Sequence, residues 1–130
     1  MEIWFNPQCS KCQIAVKAVE DAGEAFTLRT YLEVPPTEAE LDDVLRKLGR
    51  EPWEICRMKE PIAQELGLAS MAKDGEGDRA KWIAVMVKHP ILIERPILVR
   101  SDGKAVVGRS DEAVSSFLSA VGDKLEIHNE

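Results

Sequence analysis

The feature that most constrains the fold is a pair of cysteines at the junction between the first apolar run and the first helical pattern. Glu2 to Phe5 is short, apolar and rich in β-branched and aromatic residues, and Asn6-Pro7 interrupts it. That combination predicts a strand running into a tight loop. From Cys12 the apolar residues fall at Cys12, Ala15, Val16, Val19 and Ala22, the spacing of one helix face, and Gly23 follows as a C′ residue. Between strand and helix lies Cys9-Ser10-Lys11-Cys12. A cysteine there faces the free N–H groups and the positive end of the helix, which lowers its pKa and raises its reactive fraction. The N–H groups of Ser10, Lys11 and Cys12 would also cradle a tetrahedral oxyanion.

The pattern after that helix predicts a parallel βαβ opening. Phe26, Leu28, Thr30 and Leu32 alternate as in a strand, and Pro35-Pro36 ends it. Thr37 with Glu40 forms a capping box, and Leu41, Val44, Leu45 and Leu48 line one helix face before Gly49. Arg50 to Lys81 is the least legible stretch, and its glycine-rich, charged portion from Ala72 to Arg79 is expected to be a mobile loop. Trp82, Val85, Met86 and His89 return to helical spacing, with Pro90 at the end. Ile97 to Arg100 and Ala105 to Gly108 read as strands of a hairpin turning at Asp102-Gly103. Ser110 caps a last helix that turns Val114, Phe117, Leu118 and Val121 inward, and the polar tail from Asp123 is expected to fray.

Strands near both ends, helices between them and a hairpin close to the C-terminus suggest an α/β fold. The expected form is a thioredoxin-like mixed four-stranded sheet with flanking helices. Residues 1–130 would form one domain carrying a helical insertion over about residues 37–90. Arg95-Pro96 falls where that fold often carries a cis-proline.

Composition excludes several function classes. Net charge is −6, from 17 basic and 23 acidic residues. This argues against nucleic acid as a partner and leaves the attraction of any anionic substrate to local arginines. No run approaches the roughly 18 apolar residues of a membrane span, and no leader pattern precedes the first strand, so a cytoplasmic protein without a membrane partner is expected. Three cysteines are too few for a disulfide scaffold and read as redox or catalytic thiols in a reducing compartment.

Cys12, one turn beyond Cys9, is placed to attack a Cys9 adduct and form a disulfide. Zinc is the rival for that spacing, but no second Cys-x-x-Cys or histidine cluster accompanies it, and no metal is expected. A small buried core residue is the alternative reading of Cys12, and Cys56 reads as a structural thiol. Arg57, Arg95 and Arg109 would each pass as a surface residue by spacing alone. A guanidinium that grips two oxygens is nonetheless what a tetrahedral dianion needs beside a thiolate.

Several blocks together resemble the arsenate reductases that draw electrons from glutathione and glutaredoxin. Asn6-Pro7-Gln8-Cys9 resembles that family's active-site loop, and Tyr31-Leu32-Glu33-Val34-Pro35-Pro36-Thr37 resembles its Tyr-Leu-Glu-x-Pro-Pro segment. Arg57 with Glu60-Pro61 and Glu65-Leu66-Gly67-Leu68 resembles the block holding its first substrate arginine. His89 to Ile97 resembles its most distinctive motif, with Arg95 as the second arginine, and Arg109 falls near the third after a slightly longer hairpin. The resemblance implies that Cys9 attacks arsenate while Arg57, Arg95 and Arg109 hold its oxygens. A thiol then attacks the adduct and arsenite leaves, with no bound cofactor and with glutathione and glutaredoxin, or thioredoxin, as the external reductant. Two positions depart from the pattern: Phe5 replaces a frequent histidine, and Cys12 is not cysteine in the glutathione branch. The rival readings are a redox-switch transcription regulator binding RNA polymerase α through a Cys9–Cys12 disulfide, and a general glutaredoxin-like thiol reductase.

Overall fold

The computed structural model describes residues 1–119. They group into two compact units, one formed by Met1–Arg29 with the chain from Arg95 onward, the other by Thr30–Glu94.

The first unit is built on a mixed four-stranded sheet. Its strands are β1 (Glu2–Trp4), β2 (Thr27–Arg29), β3 (Ile97–Val99) and β4 (Ala105–Val107), in the order β2-β1-β3-β4. β1 runs parallel to β2 with Ile3 opposite Leu28, and antiparallel to β3 with Ile3 opposite Leu98. β3 and β4 form the expected hairpin, with Leu98 opposite Val106. Gly103 carries the turn at φ 92°, a conformation that favours glycine.

Helix α1 (Ser10–Asp21) crosses between β1 and β2, as a parallel pair requires. It buries Cys12, Ala15 and Val19, while Ala22, expected on the same face, is exposed just beyond the helix. Ala15 and Val19 join Ile3, Leu98 and Val114 in one core cluster, against which Phe5, Phe26, Val106, Phe117 and Leu118 also pack. Each such aliphatic side chain contributes about 1.5–3 kcal/mol when fully removed from water. Val114, Phe117 and Leu118 come from a helix whose described part spans residues 111–119. The Ser110 hydroxyl accepts the Ala113 N–H at 3.1 Å and caps it as expected. Val121 and the tail from Asp123 lie outside the described residues.

The second strand is shorter than its alternation predicts. β2 stops at Arg29 because the Thr30 carbonyl accepts N–H bonds from both Glu33 and Val34, each at 3.0 Å, and so turns the chain. Tyr31 is consequently buried, and its hydroxyl donates to the Ile93 carbonyl at 3.4 Å.

The second unit is helical. Its elements are α2 (Glu38–Leu48), α3 (Pro61–Glu65) and α4 (Gly75–Lys88), with short 3-10 turns at Pro52–Glu54, Leu68–Ser70 and Pro90–Leu92. The expected capping box opens α2: Thr37 Oγ1 accepts from Glu40 N–H at 3.1 Å and Glu40 Oε1 from Thr37 N–H at 3.0 Å. Leu41, Val44 and Leu45 of α2 are buried, as are Trp82, Ile83 and Met86 of α4, and the two helices pack together.

The loop expected at Ala72–Arg79 is a correction, since α4 begins at Gly75 and takes Arg79 into the interior. Glu76 and Asp78 lie in its first turn, where negative charge suits the helix dipole. Arg79 donates to Asp42 Oδ1 at 3.0 Å and Glu51 Oε2 at 3.1 Å, so two carboxylates pair its charge while its Nη2 is buried without a hydrogen-bond partner among the described residues. No described helix is long and apolar enough to cross a membrane.

Candidate active site

Cys9 is the N-cap residue of α1, with extended backbone angles and only 8% exposure. The loop ahead of it is folded around Asn6. The Asn6 side-chain oxygen accepts the Gln8 N–H at 2.9 Å, and its carbonyl accepts the Cys9 N–H at 3.0 Å. Asn6 is itself buried, and its N–H donates to Cys12 Sγ at 3.5 Å. The asparagine thus sets the path of the loop and touches the second cysteine. From spacing alone Asn6-Pro7 reads as a strand breaker, and only the resemblance places it in an active-site loop, although asparagine before a turn is the usual sign of such side-chain bonding.

The two thiols of the motif are pushed in opposite directions. Burial raises the Cys9 pKa, but the backbone N–H of Cys12, the Arg95 guanidinium, the Cys12 thiol and the N–H of Lys11 outweigh it and bring it down to about 7. Cys12 is fully buried, and that burial, together with the hydrogen bond and charge of Cys9, raises it to about 12 despite the Asn6 N–H and Arg95. At neutral pH Cys9 is therefore the more readily ionised thiol and Cys12 its protonated neighbour. Cys56 is pushed up to about 11 by burial and the Glu94 charge. All three cysteines are free thiols.

Arg109 Nη1 donates to Cys9 Sγ at 3.7 Å and to the Arg95 carbonyl at 3.1 Å. It follows Gly108, whose N–H donates to the Pro96 carbonyl at 2.8 Å. A Cβ on Gly108 would lie 2.9 Å from Leu98 Cδ1 and 3.0 Å from Val114 Cγ2, so only glycine lets the chain pass there without a shift in its neighbours. The Arg95-Pro96 peptide is cis, the isomer that the fold often carries at that position.

The sheet unit therefore brings together Cys9, Cys12, Arg95 and Arg109 at the start of α1, with Ser10 and Lys11 as its first two residues. Phe5 packs against the core of that unit, and the lowered thiol is accounted for by the helix end and Arg95 instead of a histidine. Arg57 belongs to the helical unit, where it donates to Glu94 Oε1 at 2.7 Å and Glu60 Oε1 at 3.3 Å. Burial would lower its pKa, but these carboxylates overcome that and raise it. Neither glutamate was singled out from the sequence beyond its place in a motif. Among the described residues, no group of three or more His, Cys, Asp or Glu side chains could hold a metal ion.

A mixed four-stranded sheet with an activated thiol at the head of its first helix defines a thioredoxin-like thiol protein. Residues 4–117 match the ArsC family, and the chain belongs to that family. It is 50% identical over 119 residues to an uncharacterized protein in the glnII region of Streptomyces viridochromogenes, covering 92% of this chain and 99% of the relative. It is 35% identical to an arsenate reductase of Neisseria meningitidis serogroup A, covering 91% and 97% of the two chains. Among solved structures, an arsenate reductase from Vibrio cholerae superposes with a TM-score of 0.78 at 36% identity, covering 89% of this chain and 97% of the other.

Proposed function

We propose that this chain is a cytoplasmic arsenate reductase that works through a Cys9 thiol–arsenate adduct. The observation that carries the reading is the Cys9 thiol, lowered to about 7 at the head of α1 with the Arg109 guanidinium against its sulfur. The anionic sulfur attacks the arsenic of arsenate, and one As–O bond breaks to release hydroxide, which takes a proton from solvent and leaves as water. Arg57, Arg95 and Arg109 bind the remaining oxygens, and the N–H groups at Ser10 and Lys11 face the same charge.

A second thiol then attacks the Cys9 sulfur. The sulfur–arsenic electron pair goes to arsenic, which falls from the +5 to the +3 state and leaves as arsenite, while the two sulfurs become a disulfide. Cys12 is our choice for that thiol. It lies one turn beyond Cys9 and shares a hydrogen bond with it, within reach of the Cys9 sulfur. An external thiol system then reduces the disulfide, either glutathione with glutaredoxin or thioredoxin. In this reading the chain is a single thioredoxin-like domain with residues 37–90 as its insertion.

The test is arsenite formation from arsenate by the purified protein, supplied in parallel with glutathione and glutaredoxin and with thioredoxin plus its reductase. Turnover with either set is the expected result. Cys12→Ser should abolish thioredoxin-supported turnover and leave glutathione as the surviving donor. An unchanged donor preference would remove Cys12 from the cycle. Folded protein with free thiols that turns over with neither set would instead favour a redox regulator, to be sought by co-purification with RNA polymerase α.

A further inference from the structure

Arg57 is fixed at four points. Its backbone N–H donates to the Leu92 carbonyl at 2.7 Å, and its carbonyl accepts the Glu60 N–H at 3.1 Å. Glu94 N–H donates to the Ile55 carbonyl at 3.0 Å, and Cys56 and Ile93 form an antiparallel bridge between the same two segments. The backbone of Arg57 is thereby tied to the segment that carries Glu94. The side chain is then gripped twice, at Nη1 by Glu94 and at Nε by Glu60.

Glu60 is the N-cap of α3 and makes no side-chain cap bond; its carboxylate goes to Arg57. All three side chains remain about a quarter exposed, at 22% for Arg57, 22% for Glu60 and 27% for Glu94. With Nε and Nη1 engaged, Nη2 is the guanidinium nitrogen without a protein partner among the described residues.

We propose that Glu94, assisted by Glu60, is a positioning residue that fixes the orientation of the Arg57 guanidinium and leaves its Nη2 edge to take an oxygen of an oxyanion. The proposal rests on the arsenate reductase reading. An arginine side chain carries much rotamer freedom, and a guanidinium already held in place loses less of it when substrate arrives. The clamp also places two negative charges beside one positive charge, so Arg57 supplies geometry to a dianion more than net attraction.

The experiment is a double-mutant cycle read on KM for arsenate. Glu94→Ala is expected to raise KM roughly tenfold and lower kcat by less than about threefold. Glu94→Gln, which keeps an acceptor oxygen for Nη1, should return KM to within about threefold of the parent. In an Arg57→Ala background Glu94→Ala should add nothing further, because its effect passes through Arg57. An equal rise in KM in both backgrounds overturns the proposal, as does an Ala variant that loses kcat and KM together without rescue by Gln. Should Glu94→Ala fail to fold, Glu94→Gln and Glu60→Gln carry the same cycle.

The hold on the side chain is read separately by NMR, from rotation of the Arg57 guanidinium about its Nε–Cζ bond. Slow rotation in the parent and faster rotation in Glu94→Ala is the expected result, and equal rates overturn the clamp. A parent that turns over no arsenate would sink the reductase reading, and the rotation rates would then decide the clamp alone.

Discussion

In the sheet unit, Arg109 donates to the Cys9 sulfur, and Arg95 helps hold that thiol well below its usual pKa. In the helical unit, Arg57 and Arg79 each lie between two carboxylates, Glu60 and Glu94 for the first and Asp42 and Glu51 for the second. These two arginines of the sheet unit turn their charge on a reactive group, while these two of the helical unit are neutralised. Within the helical unit, burial separates the two arginines. The Arg79 side chain is 5% exposed and both its carboxylate partners lie within the helical unit, so its work is structural. Arg57 is paired in the same way but remains open to water. The same set of charges is a strut in one place and a holder for a binding group in the other.

The largest effect expected is on Cys9→Ser, which should lower arsenite formation by at least about 10³-fold with an unchanged far-ultraviolet circular dichroism spectrum. Turnover within tenfold of the parent would remove the sheet unit from the chemistry.

Next is Arg79→Ala, which leaves Asp42 and Glu51 without their buried partner. It should destabilise the protein to urea by about 3 kcal/mol while leaving the alkylation rate of Cys9 in the native state unchanged. A slowed alkylation would show that the two units do not divide the work in this way.

Arg95→Ala sharpens the comparison from the other side. Only the thiolate reacts with iodoacetamide, and a pKa near 7 leaves about half of Cys9 ionised at pH 7. Loss of the guanidinium moves the pKa up, so alkylation at pH 7 should fall about fivefold and the two rates should converge above about pH 9.5. A pH–rate curve that does not move would leave the helix end and the Cys12 thiol as the cause.

The smallest effect belongs to Thr37→Ala, which removes the α2 cap. A loss of about 0.5–1 kcal/mol by thermal denaturation, with no change at Cys9, is the expected outcome.

What the sequence made legible follows from how local each signal is. β1, the Thr37–Glu40 capping box, the Gly103 turn and the Ser110 cap are each written within a few residues, and each stands where expected. The start of α4 was missed because its cause is distant: Arg79 is held by Asp42 and Glu51, far back in the chain. β2 was read too long because alternation continues to Leu32, while the two bonds accepted by the Thr30 carbonyl, which turn the chain, leave no mark in that pattern. The site divides in the same way. Cys9 is legible from its place before a helix, whereas Arg57, Arg95 and Arg109 emerged only through resemblance. Asn6, Glu60 and Glu94 act by contacts that no spacing announces.

The bond from the Tyr31 hydroxyl to the Ile93 carbonyl fastens the first turn of the helical unit to its last residues. Its consequence is evolutionary. A segment whose entry and exit are tied to each other behaves as a closed loop, and the entropy of closing a loop grows only with the logarithm of its length. Helices inside such a loop can be lengthened, trimmed or exchanged at little cost to the strands that lead into and out of it. Tyr31 closes this unit on itself, so that a change of length within it, away from Arg57 and its two glutamates, leaves the two ends together.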